Sequence, residues 1–186
     1  MRLGILADTH GDTRRTAAAV RLLRQVGAEA LVHCGDIGGA GVIDELAGWT
    51  AWLVYGNTDY PDGRLEQYAA SLGVQLVPQA PARLELDGRV ILAFHGCEPE
   101  YEQLLAATAR RGGGRPSSDH VEYVLHGHTH VARDVRIGGR RFVNPGALHR
   151  AAVHTVATLD LATDAVAFWQ VELGARGAAP RQYEPQ

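Results

Sequence analysis

The 186-residue sequence has only two cysteines, Cys34 and Cys97, and no Cys-x-x-Cys pair, which excludes a disulfide scaffold and a structural zinc knuckle. No apolar run approaches the roughly 20 residues that a membrane-spanning helix needs. The apolar start at Met1 to Leu6 is interrupted by Asp8 far too early for a secretory signal, so it reads as a first strand and the cytoplasm is the expected location. Charge of one sign is also scarce. The formal net charge is -3 and the 18 basic residues are scattered, which leaves no footprint for nucleic acid or an anionic membrane; an anionic substrate must be met locally. Internal repeats are absent. With 46% hydrophobic residues the chain can bury a core, and we expect one domain over 1–174 with an aperiodic, flexible C-terminal tail at 175–186.

Short apolar runs alternate with helical patterns through the first half, as βα units feeding a parallel sheet do. RLGILA, EALVHC and AWLVY read as strands, with helices in TRRTAAAVRLLRQVG, GVIDELAGW and RLEQYAASLG between and after them. Beyond Val74 the texture becomes antiparallel: ARLELDGRVILAF carries an Asp87-Gly88 hairpin turn and RDVRIGGRRFVN a Gly-Gly one. A helix is expected from Pro99 to Arg111, then a glycine loop GGGRPSS, the strand VEYVLH, and two C-terminal strands around a turn near Thr163. The class is α/β with mixed sheets.

The ends of these strands carry the chemistry. Asp8 and His10 follow the first strand, Asp36 the second, Asn57 and Asp59 the third; VILAF runs into His95 and VEYVLH into His128 and His130. In open α/β sheets ligands bind outside the carboxyl ends of strands, so residues far apart in sequence can converge there. Carboxylates, imidazoles and one carboxamide suit divalent ions such as Mn²⁺, Fe²⁺, Ni²⁺ or Zn²⁺. Seven ligands are too many for one tetrahedral ion. Shared through a bridging carboxylate, they would hold two ions about 3.5–4 Å apart, the spacing that clamps both oxygens of a phosphoryl transfer.

The motifs DTHGD, CGDIGG, YGNTD, FHG, GHTH and NPG occur in an order that resembles the calcineurin-like metallophosphoesterases, and the length and GNTD form resemble the small YfcE-type phosphodiesterase branch. The resemblance runs from Asp8 to Gly146. It implies a four-layer αββα sandwich of two mixed sheets flanked by helices. By motif, Asp8, His10 and His130 would hold one metal and Asn57, His95 and His128 the other, with Asp36 between them. Asp36, Asn57, His128 and His130 would border the reaction, in which a metal-bridging hydroxide attacks phosphorus in line. The cofactor implied is a pair of divalent ions, Mn²⁺ first, with Ni²⁺, Fe²⁺, Zn²⁺ or Mg²⁺ as alternatives; the substrate is a small phosphoester or nucleotide. Many relatives carry a histidine where Thr58 stands, which would remove a proton donor and favour activated or aryl diesters. Relatives often have another histidine at Cys97.

Several residues have a bland reading beside the functional one. Asp59 either orients a ligand or caps a turn, and Asn144 in NPGA either approaches the site or builds a turn. Cys97 reads as a small buried side chain ahead of a metal-adjacent thiol. His126 is expected to be the last strand residue and a buried, hydrogen-bonded histidine. His33, His149 and His154 read as satisfied core residues and His120 as exposed, while Arg110, Arg111 and Arg115 read as solvated before they read as a phosphate grip. Two rival functions stay open. Hydrolysis of dinucleoside polyphosphates or phosphomonoesters could use the same ions, and the retromer subunit with this fold is a protein scaffold whose metal set is incomplete. Apolar edge strands near the C-terminus leave room for a homo-oligomer.

Overall fold

The computed structural model describes residues 1–110, 121–174 and 179–185. The glycine loop at 112–118 with Arg111 and Arg115, and also His120, lies outside the described residues. The elements are β1 (Arg2–Leu6), α1 (Thr13–Gln25), β2 (Ala30–Cys34), α2 (Ala40–Glu45), β3 (Ala51–Val54), α3 (Gly63–Ser71), β4 (Val74–Val77), β5 (Ala82–Leu86), β6 (Arg89–Ala93), α4 (Pro99–Arg110), β7 (Val121–Leu125), β8 (Arg133–Ile137), β9 (Arg140–Asn144), β10 (Thr155–Asp160), β11 (Ala165–Gln170) and β12 (Gln182–Tyr183). They form a seven-stranded sheet in the order β12-β11-β10-β1-β2-β3-β4 and a five-stranded sheet in the order β5-β6-β7-β9-β8. Both are mixed. β1 to β4 run parallel, while β10 joins β1 antiparallel; in the second sheet β6, β7 and β9 are parallel and β5 and β8 are antiparallel edges.

Burial explains the layering. β1 and β2 are apolar on both faces because each face is covered. Leu3 and Ile5 point into an apolar layer shared with Leu84, Ile91, Tyr123 and Leu125 of the second sheet, whereas Leu6 and Leu31 meet α1, α2 and α3 on the outside. α1 buries Thr16, Ala19, Val20 and Leu23, residues one helical turn apart, and is started by the Asp12 carboxylate, which accepts the Arg15 N–H at 2.9 Å. Tyr101 of α4 packs with Phe94, Val124 and Phe142 on the far face of the second sheet. The result is helix, sheet, sheet, helix, the four-layer αββα arrangement expected.

Both hairpins form where the sequence puts them: Asp87 and Gly88 have φ of 48° and 72°, Gly138 and Gly139 of 51° and 84°, as two-residue turns between right-twisted strands require. Two expectations need correction, and one element was not foreseen: β12, whose Gln182 and Tyr183 pair with Trp169 and Phe168 of β11. VQLV, read as part of a change in texture, is β4, a fourth parallel strand beside β3. β7 ends at Leu125, so His126 is the first residue past the strand, tied by its N–H to the Val143 carbonyl at 3.0 Å. The parallel strands β1, β2, β3, β6 and β7 all present their carboxyl ends to the turns that carry the polar motifs.

Candidate metal centre

Backbone hydrogen bonds knit these turns together. Asp8 N–H reaches the Gly35 carbonyl, His10 N–H the Asp36 carbonyl and Gly127 N–H the His95 carbonyl, at 3.0, 2.9 and 2.7 Å. Eight non-glycine residues among those described have φ in the left-handed region, and five of them are Asp8 (54°), His10 (44°), Asp36 (55°), His128 (69°) and His130 (58°). Asp and His tolerate that region better than most residues, yet it is held here five times over, as at sites where the surroundings dictate side-chain direction. Gly56 is required for contact: a Cβ there would sit 2.2 Å from Asp36 Oδ1 and 2.3 Å from its backbone nitrogen.

The carboxylates form the floor and the imidazoles the rim. Asp8 and His95 are fully buried and Asp36 is 3% exposed, while His10 and His130 are half-buried and Asn57 and His128 open to solvent. The structure brings all seven sequence-predicted ligands together, in two groups. In the first, His130 Nε2 lies 3.3 Å from Asp8 Oδ1 and His10 Nε2 lies 3.3 Å from Asp36 Oδ2. His10 Nε2 is buried and has no hydrogen bond. In the second, His95 Nε2 is 2.9 Å from Asn57 Oδ1 and 3.2 Å from His128 Nδ1. Asp36 Oδ2 stands between the groups, 3.6 Å from His95 Nε2; its other oxygen is occupied by the Thr58 N–H at 2.9 Å.

The tautomer of His95 is set from behind. Its Nδ1 is 2.9 Å from the Cys34 carbonyl and must donate, so in the neutral ring Nε2 carries a lone pair. That lone pair faces Asn57 Oδ1 at 2.9 Å and Asp36 Oδ2 at 3.6 Å, a donor set that a shared cation would satisfy. Among the described residues no arginine pairs with Asp8 or Asp36. Burial, and then the Asp36 charge, push the Asp8 carboxyl up to about 8. Burial pushes Asp36 up too, but the Thr58 N–H and hydroxyl and the imidazoles of His95 and His10 outweigh it and hold the carboxyl below its usual range. Burial lowers His10, favouring the neutral, ligating ring. The oxygen and nitrogen donors therefore fit divalent metal ions.

A second ring of residues holds the ligands in place. Asp59 accepts the N–H groups of Ile37 and Gly56 on Oδ2 and of Gly38 on Oδ1, all at 2.9 Å, which brackets the turns carrying Asp36 and Asn57. Asp59 thus caps its own turn through Gly56 and ties it to the turn of Asp36 through Ile37 and Gly38. Asn144, fully buried, donates to the Gly127 carbonyl at 2.7 Å and to Thr129 Oγ1 at 3.0 Å, steadying the turn of His128 and His130, and closes its own turn by accepting the Gly146 N–H. Glu98, which the sequence reading missed, accepts the N–H groups of His95 and Gly96, both at 2.7 Å. A carboxylate three residues after a ligand was the available signal.

Other expectations divide. His126 is buried, with burial lowering it to about 4, its ring 4.9 Å from Tyr101 and its Nδ1 3.3 Å from the Asn144 amide. His33 is buried with Nε2 2.9 Å from Thr9 Oγ1, but its Nδ1 has no partner. His149 is not core: it is half-buried and its ring lies 5.3 Å from that of His10. His154 is half-buried with Nδ1 unpartnered. Cys97 is exposed, against the buried role expected, and its sulfur stands beside His95 and His128, the donor atoms within 4.8 Å of one another. Arg110 is the last residue of α4.

Residues 1–164 match the model of the calcineurin-like phosphoesterase superfamily domain. The chain is 23% identical over 164 residues to phosphodiesterase MJ0936 of Methanocaldococcus jannaschii, covering 86% of this chain and 93% of that one. Among solved structures, a characterised archaeal phosphodiesterase superposes with a TM-score of 0.78 at 21% identity, covering 91% of this chain and 99% of that one. The phosphoesterase YfcE of E. coli gives 0.62 at 21% with full coverage of both chains. Vps29 of Entamoeba histolytica in complex with Zn²⁺ gives 0.62 at 15%, covering 98% of this chain and 97% of that one. With its sheet order, its polar strand ends and a match over nearly its whole length, the chain belongs to the calcineurin-like phosphoesterase superfamily.

Proposed function

We propose that this protein is a metal-dependent phosphodiesterase with a dinuclear centre: Asp8, His10 and His130 hold one ion, Asn57, His95 and His128 the other, and Asp36 bridges them. One observation carries the reading. The His95 lone pair, fixed by the Cys34 carbonyl, faces Asn57 Oδ1 at 2.9 Å and Asp36 Oδ2 at 3.6 Å, a donor set that a shared cation satisfies. Bound there, two divalent ions supply Lewis-acid polarisation of a phosphoryl oxygen and an activated water for in-line attack.

The chain's own residues set the rest. The buried carboxylates are directed by backbone donors, so the phosphate is received from the open side, where Asn57, Thr58 and His128 are exposed. Imidazole groups on that rim take up charge developing on the phosphoryl oxygens. Thr58 has no proton to give at neutral pH comparable to an imidazolium, so leaving groups that depart as stable anions, aryl diesters first, are the favoured substrates. Mn²⁺ is the proposed activating ion, and the cytoplasm the proposed location; among the described residues no helix is long and apolar enough to cross a membrane.

The test is turnover by metal-stripped and Mn²⁺-reconstituted protein of bis(p-nitrophenyl) phosphate, with the monoester and a dinucleoside tetraphosphate alongside. The reading expects metal-restored activity highest on the diester. A preference for the monoester or tetraphosphate reassigns the substrate; full metal loading with no turnover of any of them favours a scaffold.

A further inference from the structure

The two halves of the centre differ in their third donor. Asp8, His10 and His130 offer only oxygen and nitrogen, whereas beside His95 and His128 stands Cys97, one donor atom from each of these three lying within 4.8 Å of the others. His95 Nε2 and His128 Nδ1 are 3.2 Å apart. Bond lengths of about 2.0 Å to nitrogen and 2.3 Å to sulfur at a tetrahedral angle place two nitrogens about 3.3 Å apart and a sulfur about 3.5 Å from each. The imidazoles already have that spacing. With all three donor atoms within 4.8 Å of one another, the sulfur is at most about 1.3 Å beyond it, within what a rotamer adjustment gives an exposed side chain.

The backbone that carries Cys97 is held for the purpose. Glu98 takes the N–H groups of His95 and Gly96 on its two oxygens, so the turn is pinned on both sides of the sulfur. Gly96, at φ of 115°, lets the chain double back toward Gly127, the residue next to His128.

We infer that Cys97 Sγ is a ligand of the second ion, which makes that position a sulfur-containing one taking Zn²⁺ or Co²⁺ ahead of Mn²⁺, while the first position stays open to Mn²⁺. Thiolate ligands select the softer ions of the first row, so the centre loads two different metals when both are supplied. As the metal–sulfur bond forms, the S–H proton leaves to solvent. The inference rests on the dinuclear reading above.

The experiment loads metal-free wild type and Cys97→Ser with Co²⁺, counts bound cobalt by atomic absorption, and records the near-ultraviolet spectrum, where thiolate-to-cobalt charge transfer absorbs. Cys34 is fully buried and present in both proteins, so the difference spectrum reports Cys97 alone. The expected result is a charge-transfer band in wild type that is missing in Cys97→Ser, with the Zn²⁺-over-Mn²⁺ preference falling about tenfold or more in competition. Cobalt bound in wild type without that band, or a band that survives in Cys97→Ser, overturns the cysteine assignment and leaves the dinuclear reading intact. Failure of wild type to bind cobalt, zinc or manganese overturns both.

Discussion

Asp59 reaches from the turn after β3 to the turn after β2, where its carboxylate accepts the Ile37 backbone N–H at 2.9 Å. With Gly38 and Gly56 held by the same carboxylate, one side chain sets the distance between Asp36 and Asn57. Asp59→Asn keeps the shape but turns an amide NH₂ toward a backbone donor. Metal affinity, measured by calorimetric titration, is predicted to fall 10- to 100-fold, roughly the span seen when residues behind metal ligands are lost. Unchanged affinity would mean that the bracket is only a turn.

Asn144→Ala strips the Gly127 carbonyl of a buried donor and frees the turn of His128 and His130. The loss is predicted to be about 1–3 kcal/mol of folding stability in urea titration, with weaker metal binding as well. Full stability in the variant would place the burden of that turn elsewhere.

The readable and unreadable parts of this chain separate by range. Each proposed ligand follows an apolar strand, so a linear reading reaches Asp8, His10, Asp36, Asn57, His95, His128 and His130, and the hairpins at Asp87-Gly88 and Gly138-Gly139 announce themselves. β4 is four residues long and is recognisable only beside β3; β12 has two residues and exists through its pairing with β11. His149, read as core, follows the buried Ala147 and Leu148, but its own ring lies 5.3 Å from that of His10. Asp59 and Asn144 act through backbone groups of other turns, which nothing in their own surroundings reveals, whereas Glu98 acts within its own turn on His95 and Gly96.

His33 supplies a pH dependence. Burial lowers it to about 4 against 6.5 for an unfolded chain. Between those values the unfolded state binds the extra proton, so stability is complete above about pH 6.5 and is lost as pH falls toward 4. The shift corresponds to about 3 kcal/mol at most. His33→Gln cannot titrate, and its urea midpoint is predicted to vary less with pH over that window than wild type does; identical pH slopes would remove His33 from the acid response.

Thr58 stands exposed next to Asn57, with its hydroxyl 3.5 Å from His10 Nδ1. Thr58→His places an acid at the rim. Turnover of alkyl diesters is predicted to rise about 10²-fold, the low end for a positioned proton donor, with aryl diesters barely changed. Equal effects on both would show that the leaving group is protonated from elsewhere.

The most direct test of the central claim is a titration of metal-free protein with Mn²⁺, following diester turnover against equivalents bound in wild type and in Asp36→Asn. The account predicts that activity climbs to a plateau at two ions per chain and that Asp36→Asn, its bridge weakened, loses both the second ion and the turnover. A plateau at one ion, or an Asp36→Asn variant as active as wild type, would contradict the bridged centre.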